Sequence, residues 1–397
     1  MRERLMTNTQ YEIRCLSPVH IGTGRKFTRF DGFARDRQWW LIDLDKVLAV
    51  GGKPFADDLA IAMRDGNFAW VGWLQSHQLK ANDVLAYSLV CYKDPAGCEV
   101  REGMKDIYQR PYIPGSSIKG AIRTALLWHL AQQQAPDFVR SLIRQGLYPP
   151  KDEKTPRKEW FAQKLERKVF GESVVTDLLK ALHVNDSAPV ALEQMQIGET
   201  ATFTLRQDQM QPKGESFRIF AEWLKPETKL QLEIGVNDYL LSDEKVWVKD
   251  KRRTTTPRQE LGVSDMNKAA LEQLTTHCNA FALALLKRER EFFEKHKLAD
   301  LVVDCERIEK TVSELQANSF VLRLGWAGGW ESKTIGDLVD KQRNSSDWRE
   351  LRERFTLGQS PGRKDDAYLD YYFPHSRQLA TTGPTPRALG WVTLEVL

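Results

Sequence analysis

The segment PYIPGSSIKGAIRTALL, residues 111–127, joins a proline-rich approach to a helix start that carries two cations. Pro114 and Gly115 set the turn into the helix. The first backbone N–H groups, at Ser116, Ser117 and Ile118, have no partner one turn earlier and, with the helix dipole, favour an anion. Lys119 and Arg123 stand four residues apart and share one helical face beside that site, while Gly120 lets another backbone come close. The same pattern also fits a capped core helix whose two cations are simply solvated. In SFVLRLGWAGGWESKTIG, residues 319–336, a strand runs into Gly325, Gly328 and Gly329, interleaved with Trp326 and Trp330. Such a turn can cradle a phosphate chain, with Lys333 adding charge at the next helix start, or it is a bulge whose tryptophans fill the core. Residues 249–258 hold Lys249, Lys251, Arg252, Arg253 and Arg258 against one acid. They read as solvated surface or as a basic loop beside an RNA channel. His20 with Asp31 or Asp36 could be drawn as an acid–base pair for RNA cleavage, since an imidazole can move a 2′-hydroxyl proton near neutral pH. A histidine in a turn more commonly orders its own loop.

Other chemistry lacks its spacing. GxxxxGK[ST], HExxH and HxH do not occur, and the five cysteines, Cys15, Cys91, Cys98, Cys278 and Cys305, form no CxxC pair. They read as reduced, mostly buried thiols, and no cofactor or locally encoded metal site is expected, although a composite metal site stays open. The net charge of +4, from 58 Lys and Arg against 54 Asp and Glu, permits a polyanionic partner without demanding one. The 12 tryptophans read mainly as core or interface anchors. With no run of about 18 apolar residues and no apolar leader, the expectation is a soluble, cytoplasmic chain with no membrane partner.

The positioning elements follow from periodicity. Residues 9–16 alternate as a strand that Ser17-Pro18 ends before the turn His20–Gly24; further strands are expected at 38–43 and 84–92, with helical pattern between about 43 and 79. Asp94–Gly97 reads as a hairpin turn. A helix starts at Gly115 with Ile118, Ile122, Ala125 and Leu126 on one face. Residues 146–158 read as a polar surface connection before a helix at Trp160–Phe170, and strands follow from 183 to 236 with a turn at Gln211–Gly214. Leu271, Leu274, Cys278, Phe281 and Leu285 step by three and four, which predicts one long helix over 264–298 whose seam is core rather than a coiled partner face. A strand at 319–324, a short helix at 334–340 and a strand at 390–397 close the chain. Strands mixed with isolated helices give an α+β class.

Four segments resemble the RAMP proteins of type III-A (Csm) CRISPR complexes: Ser17-Pro-Val-His-Ile-Gly-Thr-Gly24, Tyr112-Ile-Pro-Gly-Ser-Ser-Ile-Lys-Gly-Ala-Ile-Arg123, Leu324-Gly-Trp-Ala-Gly-Gly-Trp330 and Gly390-Trp-Val392. Phe373-Pro-His-Ser-Arg377 and the chain length add to the likeness. The resemblance implies tandem ferredoxin-like (RRM-like) RAMP domains with helical insertions. Residues 1–235 would form one domain with a helical insertion, and 236–397 a second with the long helix and glycine-rich loop. It implies a non-catalytic subunit that caps the crRNA 3′ segment and supports crRNA maturation. Its partners would be the backbone RAMP subunit of the filament, the small helical Csm subunit and trimming nucleases. RNA contacts would come from His20, Gly22, Gly24, Arg25, Ser116, Ser117, Lys119, Arg123, Lys251, Arg252, Arg253, Gly325, Gly328, Gly329, Lys333 and Arg377. Backbone subunits of such complexes cut target RNA with an aspartate after the His-Ile-Gly stretch, and Asp31 falls near that place. Two other readings therefore stay open, a metal-dependent endoribonuclease using Asp31 and a different RAMP position in a related type III complex. The aromatic stacking signature of an RRM sheet is missing, which directs RNA to loops and helix ends instead.

Overall fold

The computed structural model describes residues 6–95, 97–134, 141, 163–206, 209–248, 252–340, 346–359, 366–370 and 372–397. One sheet has five strands, in the order β14 (Phe320–Arg323), β16 (Trp391–Val396), β1 (Thr7–Cys15), β11 (Lys229–Val236) and β7 (Leu182–Val184). Every neighbouring pair in it is antiparallel. A second, nine-stranded sheet runs β2 (Gly22–Phe27), β6 (Val100–Gly103), β10 (Arg218–Leu224), β8 (Met195–Arg206), β5 (Leu85–Cys91), β4 (Gln38–Ile42) and β3 (Gly32–Arg35). Two further strands, β9 (Gln209–Pro212) and β15 (Ser376–Ala380), pair with β8. A small ribbon joins β12 (Val246–Val248) to β13 (Arg253–Thr255). The architecture is α+β with ferredoxin-like layers.

Alternation along β1 explains the first layer. Tyr11, Ile13 and Cys15 are buried while Glu12 and Arg14 face outward. Against the buried side pack the helices Gly115–Gln133 and Leu274–Lys295, so that Ile13, Ile118, Ile122, Cys278 and Phe281 share one core. Each such fully buried aliphatic side chain contributes about 1.5–3 kcal/mol relative to exposure. Residues 43–84 form a helical insertion with its own small core around Val47, Trp70 and Trp73. Four of the cysteines are buried and Cys98 is exposed, all as free thiols. Among the described residues no helix is long and apolar enough to cross a membrane.

The structure departs from the sequence reading in two places. Asp94–Gly97 does not make a hairpin, because β8 and β10 lie between β5 and β6 in the sheet. The long helix is broken at Gln273 (φ −102°, ψ 25°) into Asp265–Glu272 and Leu274–Lys295, and a further helix, Ala299–Glu314, covers the outer side of β14 and β16 through Ile308, Val321 and Trp391. Both edges of β1 are filled, one by β11 and the other by β16. The surface connection at 146–158 and the residues Lys249 and Lys251 lie outside the described residues.

Candidate nucleic-acid interface

Three segments far apart in the chain are tied together by backbone hydrogen bonds. The N–H of Trp326 donates to the His20 carbonyl at 2.8 Å, that of Leu324 to Gly390 at 2.7 Å, and that of Gly390 to Pro18 at 2.9 Å. This contact needs glycine. Gly325 has φ +70°, and a Cβ there would lie 2.2 Å from the His20 carbonyl oxygen. Between the His20 turn, the glycine-rich turn and the start of the helix Gly115–Gln133 opens a groove of about 410 Å³, lined by Gly22, Ser117, Gly120, Gly325, Arg323 and Lys333 among others. No carboxylate is among its lining residues. Nothing stands within 4 Å of where a Gly120 Cβ would be, so that face of the helix is open to a ligand.

Ser117 and Gly120, with Ala121 and Thr124, thus meet Gly22, Gly325 and Lys333. The two cations of the helix do not join them. Lys119 donates from Nζ to the Leu182 carbonyl at 2.7 Å, and Arg123 bridges to Asp177 at 2.7 Å and to Glu166 at 3.4 Å. Close packing of Gly115 on the 184–185 backbone fixes the helix rotation, since a Cβ there would meet the Val184 carbonyl at 2.2 Å. The helix N-terminus also has an anion already, for the Gly115 N–H donates to Asp186 Oδ1 at 2.8 Å. Ser116 is exposed beside it.

His20 is 2% exposed. A carbonyl can only accept, so its Nδ1, 2.6 Å from the Glu222 carbonyl oxygen, carries the proton. Burial, with Arg101 and Lys105 nearby, lowers its pKa to about 4. The imidazole is therefore neutral at pH 7, a fixed post under the groove and not a titrating base. Asp31 has a different setting: one oxygen accepts from the Thr28 N–H at 2.8 Å and hydroxyl at 2.9 Å, and the other meets Arg25 at 3.3 Å. Those bonds order the 28–31 turn. Gly24 (φ +93°) is open on its surface. Arg252 has φ +48°, and Arg253, in β13, pairs with Glu260 at 2.7 Å. Arg377 is buried, donating to the carbonyls of Pro374 at 2.8 Å and Ser376 at 3.0 Å, and its guanidinium stands 4.2 Å over Phe292. Gly328, Gly329 and Arg377 line a second cavity adjoining the groove, with which it shares Arg323, Trp326 and Lys333.

Sequence reasoning missed Arg101, whose guanidinium lies 4.6 Å over the Trp326 ring, and Arg323, which pairs with Glu289 at 2.7 Å between the two cavities. It also missed Glu222, although the alternation Phe220, Glu222, Leu224 puts an acid on a core-facing strand side and signals a buried partner. The outward face of the five-stranded sheet carries Glu12, Glu233 and Glu395 against Arg14 and Lys229, which pair with them or with Glu227. That face would repel a polyanion.

The RAMP superfamily model matches residues 12–293. The CRISPR system protein Csm5 of Methanocaldococcus jannaschii is 23% identical over 97% of this chain and 89% of its own length. Csm5 of Streptococcus thermophilus is 24% identical over 55% of this chain and 61% of its own length. Among solved structures, a chain of a cryo-EM Csm–crRNA–target RNA ternary complex of a type III-A CRISPR-Cas system superposes with TM-score 0.68 at 22% identity, covering 98% of this chain and all (100%) of that one. The crystal structure of T. onnurineus Csm5 gives TM-score 0.63 at 22% identity over 97% and 100%. With a family match across more than half its length and a shared fold along nearly all of it, the chain belongs to the RAMP superfamily.

Proposed function

We propose that this chain is a Csm5-like crRNA-binding subunit of a type III-A CRISPR effector complex, holding the RNA backbone in the groove between Gly22, Ser117, Gly120, Gly325 and Lys333. The observation that carries this reading is the meeting of three family motifs around a groove that carries Lys333 and no carboxylate. Near-full-length similarity to proteins named Csm5 supports it. In that role the subunit caps the crRNA 3′ segment at the end of the backbone RAMP filament, beside the small helical subunit, and limits what trimming nucleases reach. It does so without cutting RNA.

Two measurements test this. Binding of single-stranded RNA depends on salt with a log–log slope of about −0.7 per phosphate neutralised, so Lys333→Ala is expected to flatten the slope by roughly 0.7 with little change in sequence preference. An unchanged slope and affinity in a folded variant would take the groove off the RNA path. Asp31→Ala in the assembled complex is expected to leave the target-cleavage ladder intact, because both carboxylate oxygens are spent on the 28–31 turn and Arg25. Loss of one cut with assembly preserved would transfer the chain to the endoribonuclease reading.

A further inference from the structure

We propose that the second cavity, behind the glycine-rich turn, receives one unstacked nucleobase of the bound RNA; this rests on the groove being the RNA path. The cavity measures about 450 Å³, within the ~300–1,000 Å³ of small-ligand sites. Its lining residues include the aromatics Trp326, Trp330 and Phe373 and the polar residues Glu289, Arg377 and Gln378. On each of those three polar residues one buried atom has no hydrogen-bond partner: Glu289 Oε2, Arg377 Nη2 and Gln378 Oε1. Glu289 is 3% and Arg377 8% exposed, so these groups have lost water without gaining a full set of partners. Arg377 Nη2 lies 3.8 Å from Glu331, beyond hydrogen-bond reach, and the other Glu289 oxygen is held by Arg323 at 2.7 Å.

The charge pattern separates this cavity from the groove. Glu289 and Glu331 line it, whereas no carboxylate lines the groove. A phosphate offers only acceptors, which leaves Glu289 and Glu331 unmatched beside the cations Arg323, Lys333 and Arg377. A base edge offers donors and acceptors together, as the mixed carboxylate, guanidinium and amide residues around the cavity do. Aromatic walls add stacking of the kind single-stranded RNA sites use. Gly329 (φ +78°), one of the lining residues, has nothing within 4 Å of its Cβ position. The backbone would thus lie over Gly325 and Lys333, with one base turned past Trp326 into the cavity.

The test is an abasic scan. Short single-stranded RNAs, each with one nucleotide made abasic, are titrated against the full chain by fluorescence anisotropy. Stacking of about 1–3 kcal/mol per base corresponds to one position at which the loss lowers affinity by roughly 5–150-fold, the others changing far less. Ser376→Trp, on the exposed rim, is expected to fill the cavity and abolish that positional effect while keeping the salt slope. Gln378→Ala, a smaller change, is expected to halve it or more. Equal effects at every position with a normal salt slope would overturn the base site and leave the groove standing. Absence of salt-dependent RNA binding in the parent chain would overturn both.

Discussion

Gly325→Ala is expected to lower RNA affinity at least about tenfold and to destabilise the fold. At φ +70° an alanine carries a left-handed penalty of about 1–2 kcal/mol, and its Cβ would stand 2.2 Å from the His20 carbonyl oxygen. That oxygen is backbone and accepts the Trp326 N–H at 2.8 Å, so relief requires the glycine-rich turn to move off the His20 turn. Such movement separates Gly325, Trp326 and Lys333 from Gly22 and displaces Arg101 from the Trp326 ring. Gly262→Ala is the control. Gly262 ends the helix Pro257–Leu261 at φ +76° with nothing within 4 Å of its Cβ position, so it carries the same backbone penalty without the collision. It is expected to lose stability and keep RNA affinity. Equal RNA affinity in Gly325→Ala and the parent chain would show that the junction of the two turns does not matter to binding.

How much of this was legible differs by level. β1, the helix from Gly115 and the terminal strand follow from local alternation and periodicity, and the motifs that meet at the groove stand out by their glycines and tryptophans. Pairing between distant strands leaves no local mark. Nothing in Asp94–Gly97 says that β8 and β10 will be inserted between the strands on either side of it. The helix cations show the limit more sharply. The buried stripe Ile118, Ile122, Ala125 and Leu126 already implies that Ser117, Gly120, Ala121 and Thr124 form the open face. Lys119 and Arg123 lie at its margin, where long side chains can turn either way, and the Leu182 carbonyl and Asp177 decide it. The basic run ended no better defined, since Lys251 lies outside the described residues and Arg253 is paired with Glu260.

Lys105→Met is expected to cost about 3–5 kcal/mol and to lower the melting temperature by on the order of 4–6 °C. Glu222 is fully buried at 0% exposure, and the Lys105 side chain is 3% exposed. One Glu222 oxygen accepts the Tyr87 hydroxyl at 2.6 Å; the other accepts the Gly103 N–H at 2.9 Å and the Lys105 ammonium. Lys105 also donates to the Gly103 carbonyl at 3.1 Å and lies 5.0 Å from the Tyr87 ring centre. Burial, and then the charge of Glu222, push the Tyr87 hydroxyl far above its ordinary pKa, so it stays a donor. Methionine fills the lysine's space but strips the carboxylate of its only close cation within this network. What remains is a buried charge held by two neutral donors, which is the costly half of a broken ion pair. Adding Glu222→Gln removes that charge; its amide oxygen can accept the Gly103 N–H while its NH2 donates to the Tyr87 hydroxyl oxygen, a reversal of the present bond, so the double variant should recover most of the loss. The consequence reaches the RNA groove, because the Glu222 carbonyl holds His20 Nδ1 and the His20 carbonyl holds Trp326. RNA affinity should fall with Lys105→Met and return in the double variant, with an unchanged salt slope throughout, since Lys105 is not among the groove's lining residues. A double variant as unstable as the single would mean that packing of the lysine stem, and not compensation of the buried charge, is what the site requires.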